Sequence, residues 1–147
     1  AGEINTEMPA FWVGKLQDAL NEVGKPLKGS KVLVLGVAYK KDIDDLRESP
    51  ALEILDLLTN KGVIVSYHDP YVPEIASDGH TPAGAVGVSV PFTDAALSAA
   101  DAVMVVTDHS SIDYDRVCRH AHLVIDTRNA CALHEAAHPE RAVVAHA

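Results

Sequence analysis

The sequence predicts an α/β fold of three layers, α/β/α, in which helices cover both faces of a mostly parallel sheet of about five to six strands. Apolar runs typical of strands alternate along the chain with amphipathic runs typical of helices. Several strand candidates contain continuous apolar runs, such as 32–35 and the part 102–106 of the candidate over 101–107, which indicates burial on both faces. The chain has 147 residues, 48% of them hydrophobic, so we expect one domain with its own core.

The first half of the chain predicts a complete strand–helix–strand unit. Proline suits the first position of a helix, so we expect a helix to begin at Met8-Pro9 after a frayed polar end. Gly24 would end that helix. The elements that follow are a strand over 32–35, a helix over 51–60 opened by Ser49-Pro50, and a strand over 63–67.

The second half continues the alternation after a long loop. Residues 70–91 are rich in proline and glycine and predict a surface loop with at most a short strand near 86–90. Beyond it we expect a helix from Thr93-Asp94 through Ala99, strands over 101–107 and 122–128, a helix over 114–119, and a tail with a helical turn and a strand near 143–144.

Polar groups follow four of the predicted strands. Because the carboxyl ends of parallel strands share one edge of a sheet, these groups should collect there and form the site. They are Tyr39 to Arg47, His68-Asp69, Thr107 to His109 and Asp126 to Arg128.

Composition and charge exclude several classes of function. The formal net charge of −9 argues against nucleic acid or an anionic membrane as partner, since both need a basic surface. No apolar run reaches the roughly 20 residues of a membrane span, and no secretory leader is visible, so we expect a cytoplasmic protein. Cys118 and Cys131 lack a CxxC spacing and are interpreted as small buried residues.

The turn after the first strand lacks the usual phosphate-binding glycines. Gly36 is followed by Val37-Ala-Tyr39, so the architecture is Rossmann-like without a G-x-G-x-x-G fingerprint. Any phosphate must then be held by side chains, for which Lys40, Arg47 and Arg128 are the candidates. The alternative is that these cations form surface ion pairs with Asp42, Asp44, Asp45 and Asp126.

Two other chemistries are considered and set aside. The spacings His120-x-His122 and His134-x-x-x-His138 resemble metal-ligand pairs, but no cysteine or carboxylate completes a set, so we expect no metal. No nucleophile elbow or self-sufficient catalytic apparatus is present.

One long stretch is specific. Leu35-Gly-Val-Ala-Tyr-Lys-Lys-Asp-Ile-Asp-Asp-Leu-Arg-Glu-Ser-Pro50 closely resembles the start of the C-terminal, nucleotide-sugar-binding domain of the UDP-glucose/GDP-mannose dehydrogenase family. The supporting matches, in the family's order, are the Met8-Pro9 helix, Tyr67-His-Asp-Pro70, Val106-Thr-Asp-His109 and Ile125-Asp-Thr-Arg128. The amino-acid sequence of the loop is more similar to that of the branch that oxidises UDP-N-acetylhexosamines than to that of the UDP-glucose branch.

The resemblance implies a role for each matching residue. Such enzymes oxidise the sugar C6 alcohol to a carboxylate in two NAD-dependent steps, through a thioester on a cysteine. By this resemblance Tyr39, Lys40 and Arg128 would contact the UDP-sugar, and Arg47 would reach NAD across an interdomain cleft. Neither the family's catalytic cysteine nor its NAD fingerprint has a match in this chain.

The resemblance also implies a domain organisation. Residues 1–28 would be the end of a connecting helix with its linker, and 29–147 the UDP-sugar-binding domain. Its partners would be the UDP-sugar and the protein's own upstream NAD-binding and central domains, which bind most of the NAD, in a homo-oligomer. The fragment alone would be inactive.

Two other classes of function stay open. The chain could be a stand-alone nucleotide-sensing or protein-interaction module without catalysis. It could also be an assembly domain in which Phe11 and Trp12 form an exposed patch. For this aromatic pair we weigh packing on the domain's own core against packing on a missing domain.

Overall fold

A computed structural model describes residues 2–47, 49–79, 81–131 and 143–145 of the chain. The elements are helices α1 (Gly2–Glu22), α2 (Pro50–Asn60), α3 (Asp94–Ala99) and α4 (Tyr114–His120), and strands β1 (Lys31–Leu35), β2 (Ile64–His68), β3 (Glu74–Ile75), β4 (Gly87–Val88), β5 (Ala102–Val105), β6 (Leu123–Asp126) and β7 (Val143–Ala145), with one 3-10 turn (Ala83–Ala85).

Five of the seven strands just given form one parallel sheet in the order β2-β1-β5-β6-β7. This confirms the predicted architecture, with a strand count at the low end of the prediction. β3 and β4 pair separately as a short antiparallel ribbon within the predicted surface loop. The chain leaves β1 toward β2 on one side and then returns to add β5 on the other side. The strand order therefore reverses between β1 and β5, and a crevice opens at the ends of these two strands.

Helices cover both faces of the sheet, as predicted. Successive side chains of β1 point to opposite faces, because the side-chain period of a strand is two. Val32 and Val34 pack beneath α1 and α2, while Leu33 and Leu35 pack beneath α3 and α4. All four are at most 2% exposed, so the continuous apolar run reflects two cores rather than one.

The first helix differs from its prediction. It begins at Gly2 and continues through Pro9 instead of beginning at Met8-Pro9. A proline within a helix removes one backbone donor. That loss is offset here because the apolar stripe after it, Trp12, Leu16 and Leu20, is buried against α2 and the sheet. The proposed boundary between residues 28 and 29 stays a prediction.

The two aromatic residues of α1 have different environments. Trp12 is 4% exposed and belongs to the core, whereas Phe11 is 48% exposed. Their rings meet edge to face with 5.3 Å between centroids. Packing on the domain's own core is therefore confirmed for Trp12, whereas the ring of Phe11 stays about half exposed.

The remaining elements agree closely with prediction. Ser49 caps α2 ahead of Pro50, and Thr93 caps α3. The predicted strand near 143–144 is β7, while the helical turn predicted before it lies outside the described residues. Within the part of the chain that the structure describes, no helix is long and apolar enough to cross a membrane.

Candidate functional site

The candidate site lies where β1 and β5 end. Two loops leave the sheet here: the β1–α2 loop (residues 36–49) and the β5–α4 loop (residues 106–113). Ser49 closes the first loop onto its own start, since its hydroxyl donates to the carbonyl oxygen of Val37 at 2.6 Å. The hydroxyl of Thr107 joins the two loops by donating to the carbonyl oxygen of Ala38 at 2.5 Å.

Gly36 allows this close approach. Its φ is +82°, a left-handed conformation that disfavours any side chain. A Cβ at this position would come within 2.6 Å of the Cβ of Thr107 and closer still to its carbonyl oxygen. Glycine is therefore required here for packing between strand ends, and not for approach to a phosphate.

Asp69, just after β2, organises the start of the β1–α2 loop. Its side chain is fully buried. Oδ2 accepts from the backbone N–H groups of Val37 at 2.8 Å and Ala38 at 3.2 Å. Oδ1 accepts from the N–H of Tyr71 at 2.8 Å.

These hydrogen bonds bear on whether a dinucleotide could sit at this turn. In a dinucleotide-binding fold the pyrophosphate lies close to the backbone just after the first strand. Here the N–H groups of Val37 and Ala38 already donate to Asp69. The turn does not fit a pyrophosphate, in agreement with the missing glycines.

His109 extends the network from the β5–α4 loop. Its ring is fully buried, with Nδ1 2.7 Å from the backbone N of Asp42 and Nε2 2.8 Å from Oδ2 of Asp69. An N–H group can only donate, so Nδ1 must be the acceptor. The network therefore assigns the proton to Nε2, which donates to Asp69. The Tyr71 ring covers the imidazole at 4.8 Å between centroids.

Asp42 is held in an unusual backbone conformation. Its φ is +64°, which is uncommon for a residue with a side chain. The carboxylate accepts from the N–H and the hydroxyl of Ser110, both at 2.7 Å. These two bonds, the hydroxyl first, hold the pKa of Asp42 below its ordinary value.

Tyr39 and Lys40 lie between these anchored positions. The N–H of Tyr39 donates to the carbonyl oxygen of Asp45 at 2.7 Å, which closes the loop on itself. Lys40 is exposed, and its Nζ lies 5.6 Å from the centre of the Tyr39 ring. The structure thus presents an aromatic ring and an ammonium group side by side at the tip of the β1–α2 loop.

Arg128 follows β6, the next strand of the sheet. Its Nε donates to the carbonyl oxygen of Val106 at 3.1 Å, and its N–H donates to Oδ1 of Asp126 at 3.1 Å. Val106 and Thr107 follow β5, and Thr107 bonds to Ala38. The end of β5 therefore connects Arg128, after β6, with the loop that carries Tyr39 and Lys40, after β1. The predicted convergence of strand-end groups is confirmed.

Arg47 lies in the same loop but in a different setting. Its guanidinium pairs with both carboxylate oxygens of Asp45, at 3.1 and 3.0 Å, and its side chain is 89% exposed. The hydrogen bond lowers the pKa of Asp45. An exposed pair of this kind contributes little to stability. For Arg47 the surface ion pair expected as the alternative is present.

Sequence reasoning placed Asp69 and His109 at the site but missed their part in it. The sequence pattern indicates only that both are polar residues at strand ends. The one available signal was an acidic residue at the end of a strand neighbouring a glycine turn, where backbone N–H groups need acceptors.

Metal and thiol chemistry find little support among the described residues, which contain no cluster of three potential metal ligands. His120 and His122 have separate partners, Asp94 at 3.4 Å and the carbonyl oxygen of Ser98 at 3.0 Å, and His134 and His138 lie outside the described residues. Cys118 and Cys131 are buried, as predicted. Their mutual hydrogen bond and burial raise the pKa of Cys131, which disfavours the nucleophilic thiolate.

Comparison with known proteins places this geometry in context. The model of the UDP-glucose/GDP-mannose dehydrogenase family, UDP binding domain, matches residues 33–132. A UDP-N-acetyl-D-mannosamine dehydrogenase of Pyrococcus horikoshii is 32% identical over 88% of this chain and 29% of its own length. An NDP-N-acetyl-D-galactosaminuronic acid dehydrogenase of Ralstonia nicotianae is 32% identical over 87% of this chain and 28% of its own.

Solved structures agree. The crystal structure of an NDP-N-acetyl-D-galactosaminuronic acid dehydrogenase from Methanosarcina mazei Go1 superposes with a TM-score of 0.75 and 30% identity, covering 98% of this chain and 30% of that one. The chain thus spans less than a third of the length of these similar proteins.

Proposed function

The chain belongs to the UDP-glucose/GDP-mannose dehydrogenase family, whose UDP binding domain it matches, and we propose that it binds the UDP part of a UDP-sugar within an NAD-dependent UDP-sugar 6-dehydrogenase. The observation that carries this proposal is that Tyr39 and Lys40, which follow β1, and Arg128, which follows β6, flank the end of β5, beside the point where strand order reverses. Ligands of open α/β sheets bind in this crevice.

The charges of the site suit a diphosphate. In a protein of net charge −9, a phosphate-binding site requires a local group of cations. Lys40 is exposed. The Nε of Arg128 donates a hydrogen bond to a backbone carbonyl oxygen, and this bond orients the rest of the guanidinium group. Both groups form charge-assisted hydrogen bonds with phosphate oxygens.

The oxidation itself is assigned elsewhere in the longer protein. C6 oxidation through a thioester needs a reactive thiol, whereas Cys118 and Cys131 are buried. NAD supplies the hydride acceptor when bound, and domains outside this chain would hold most of it, with Arg47 reaching it from here. This domain would contribute binding energy that positions the reacting carbon, which affects turnover as well as affinity.

For the substrate, we propose a UDP-N-acetylhexosamine. Two observations support this proposal. One is the amino-acid sequence of the β1–α2 loop, and the other is that the similar dehydrogenases are named for N-acetylated sugar nucleotides.

Calorimetric titration of the chain with UDP, UMP and NAD tests the proposal. Lys40→Ala and Arg128→Ala should each weaken UDP binding by about 1.5–3 kcal/mol, the range for a hydrogen bond to a charged group. This corresponds to about 10- to 150-fold in Kd. Lys61→Ala, which removes an equal charge at the end of α2, is the matched control and should leave Kd unchanged.

Two results would contradict the assignment. Unchanged UDP titrations for both variants would remove Lys40 and Arg128 from the site. Tight binding of NAD by this chain would contradict the conclusion that the turn after β1 cannot hold a pyrophosphate.

A stand-alone binding module stays the alternative, and the native reading frame decides between the two. A natural protein that begins near Met8 would favour the module. The assembly hypothesis is weakened because Trp12 is buried, which leaves Phe11 and Met8 as the exposed large apolar side chains among residues 8–22 of α1. A monomer in sedimentation at high concentration would remove it.

A further inference from the structure

We propose that Asp69 and His109 are positioning residues that hold the tip of the β1–α2 loop in its binding conformation and set the affinity for UDP without touching it. This inference rests on the proposed function, since the tip carries Tyr39 and Lys40. Asp69 and His109 come from the ends of β2 and β5, on either side of β1 in the sheet.

The tip of the β1–α2 loop is held from both sides. Before it, the N–H groups of Val37 and Ala38 donate to Asp69. After it, the N–H of Asp42 donates to His109. Only residues 39–41 lie between the two attachments. Because Asp69 and His109 are hydrogen-bonded to each other, both ends of the tip are attached to one unit.

The unit formed by Asp69 and His109 is itself rigid. Asp69 and His109 are at most 2% exposed, so water does not compete for their hydrogen bonds. The hydroxyl of Tyr114 donates to the carbonyl oxygen of His109 at 3.0 Å, and the N–H of Tyr71 donates to Asp69. The anchors are therefore tied to α4 and to the chain after β2 as well as to each other.

The backbone of Asp42 depends on the same contacts. A left-handed residue other than glycine costs free energy and persists only when its surroundings enforce it. His109 enforces it through the N–H, and Ser110 through the carboxylate. Without the imidazole acceptor the residue would relax, and Tyr39 and Lys40 would lose their relative placement.

The chemistry of the pair defines what a substitute must supply. Position 109 needs an acceptor toward Asp42 and a donor toward Asp69. His109→Asn places its amide oxygen near the former Nδ1 and keeps the acceptor. His109→Gln places its amide nitrogen near the former Nε2 and keeps the donor only. The two variants therefore separate the bond that holds the tip from the bond inside the pair.

The experiment combines amide hydrogen exchange by NMR with UDP titration on the chain and both variants. In His109→Gln we expect exchange of the Asp42 N–H to speed up about tenfold or more and UDP affinity to fall about tenfold. In His109→Asn we expect both to stay within about threefold of the unchanged chain. Core amides of β5 report whether each variant is folded, because a purely structural defect would speed their exchange too.

A measurement on the unchanged protein keeps the test independent of folding by the variants. The ¹⁵N signals of His109 should show a bare Nδ1 that accepts a hydrogen bond and a protonated Nε2. A protonated Nδ1 would overturn the inference. So would UDP affinity that Lys40→Ala reduces but His109→Gln does not, a result that leaves the proposed function intact. Absence of UDP binding by the unchanged chain would overturn the proposed function and this inference with it.

Discussion

Individual residues at this site do work that their type alone does not reveal. Gly36 takes the place that a phosphate-binding glycine takes in dinucleotide folds, yet its space is filled by Thr107. Lys40 and Arg128 are exposed, as expected of ligand-binding cations. Arg47 is exposed too, but its guanidinium group forms an ion pair with Asp45. The type of each residue makes it a candidate for ligand binding, and its contacts in the folded protein distinguish its role from that of the others.

At the residue scale we predict that Gly36→Ala destabilises the protein much more than Gly24→Ala. Both glycines have a left-handed φ, +82° and +78°, so each substitution incurs about 1–2 kcal/mol of backbone strain. Nothing lies within 4 Å of a Cβ at Gly24, whereas one at Gly36 would overlap Thr107. Overpacking adds about 1–3 kcal/mol, so Gly36→Ala should cost about 2–5 kcal/mol in all.

Urea denaturation of the two variants measures this difference in the free energy of unfolding. Equal losses for Gly36→Ala and Gly24→Ala would show that the contact between the ends of β1 and β5 is looser than described.

Among the elements, α2 connects the site to the core most directly. Its apolar face, Ile54 and Leu58, packs against the sheet, and its amino end receives the β1–α2 loop. Ser49 serves both ends of that loop, because its hydroxyl accepts from the N–H of Ala51 at 3.2 Å and donates to Val37. Helix stability and loop placement are therefore coupled through one side chain.

At the element scale we predict that Ser49→Ala is more costly than Thr93→Ala, its counterpart at α3. Thr93 is exposed and only caps, accepting from the N–H of Ala96 at 3.0 Å, so its loss should cost about 1 kcal/mol. Ser49→Ala also leaves the buried carbonyl oxygen of Val37 without its hydroxyl donor, so we expect about 2–4 kcal/mol.

Thermal and urea unfolding of both variants test this prediction, and Ser49→Ala should also weaken UDP binding. A Ser49→Ala variant as stable as Thr93→Ala would mean that the bond to Val37 adds nothing to the cap.

For the whole molecule, four acidic residues spread over the surface share one behaviour. Hydrogen bonds hold their pKa values below the ordinary 3.8; the carboxylates and the partners with the largest effect are Asp42 with Ser110, Asp45 with Arg47, Asp94 with Arg116 and Asp101 with Lys25. A group whose pKa is lower in the folded state stabilises that state above its unfolded pKa, and the contribution disappears as the pH falls through the folded pKa.

We therefore predict that the free energy of unfolding falls as the pH drops below about 4. The isoelectric point is about 5.2, so the chain is already net positive there, and further protonation adds repulsion in the same direction. Urea midpoints over this range measure the effect. Asp101→Asn, which weakens the contact with Lys25, should be less stable at neutral pH and should lose less on acidification. A midpoint independent of pH in acid would contradict the sign.

Four features follow from the amino-acid sequence alone: the alternation of strands and helices, the two-sided burial of β1, the caps at Ser49 and Thr93, and the edge of the sheet where the polar groups meet. These features are local, because hydrophobic period and capping chemistry act within a few residues. The path of α1 through Pro9 and the anchoring of the β1–α2 loop tip by Asp69 and His109 became visible only in the folded chain. Those outcomes depend on the strand order β2-β1-β5 and on which faces pack, and such contacts join residues far apart in the sequence; Thr107 and Ala38, for example, are 69 positions apart.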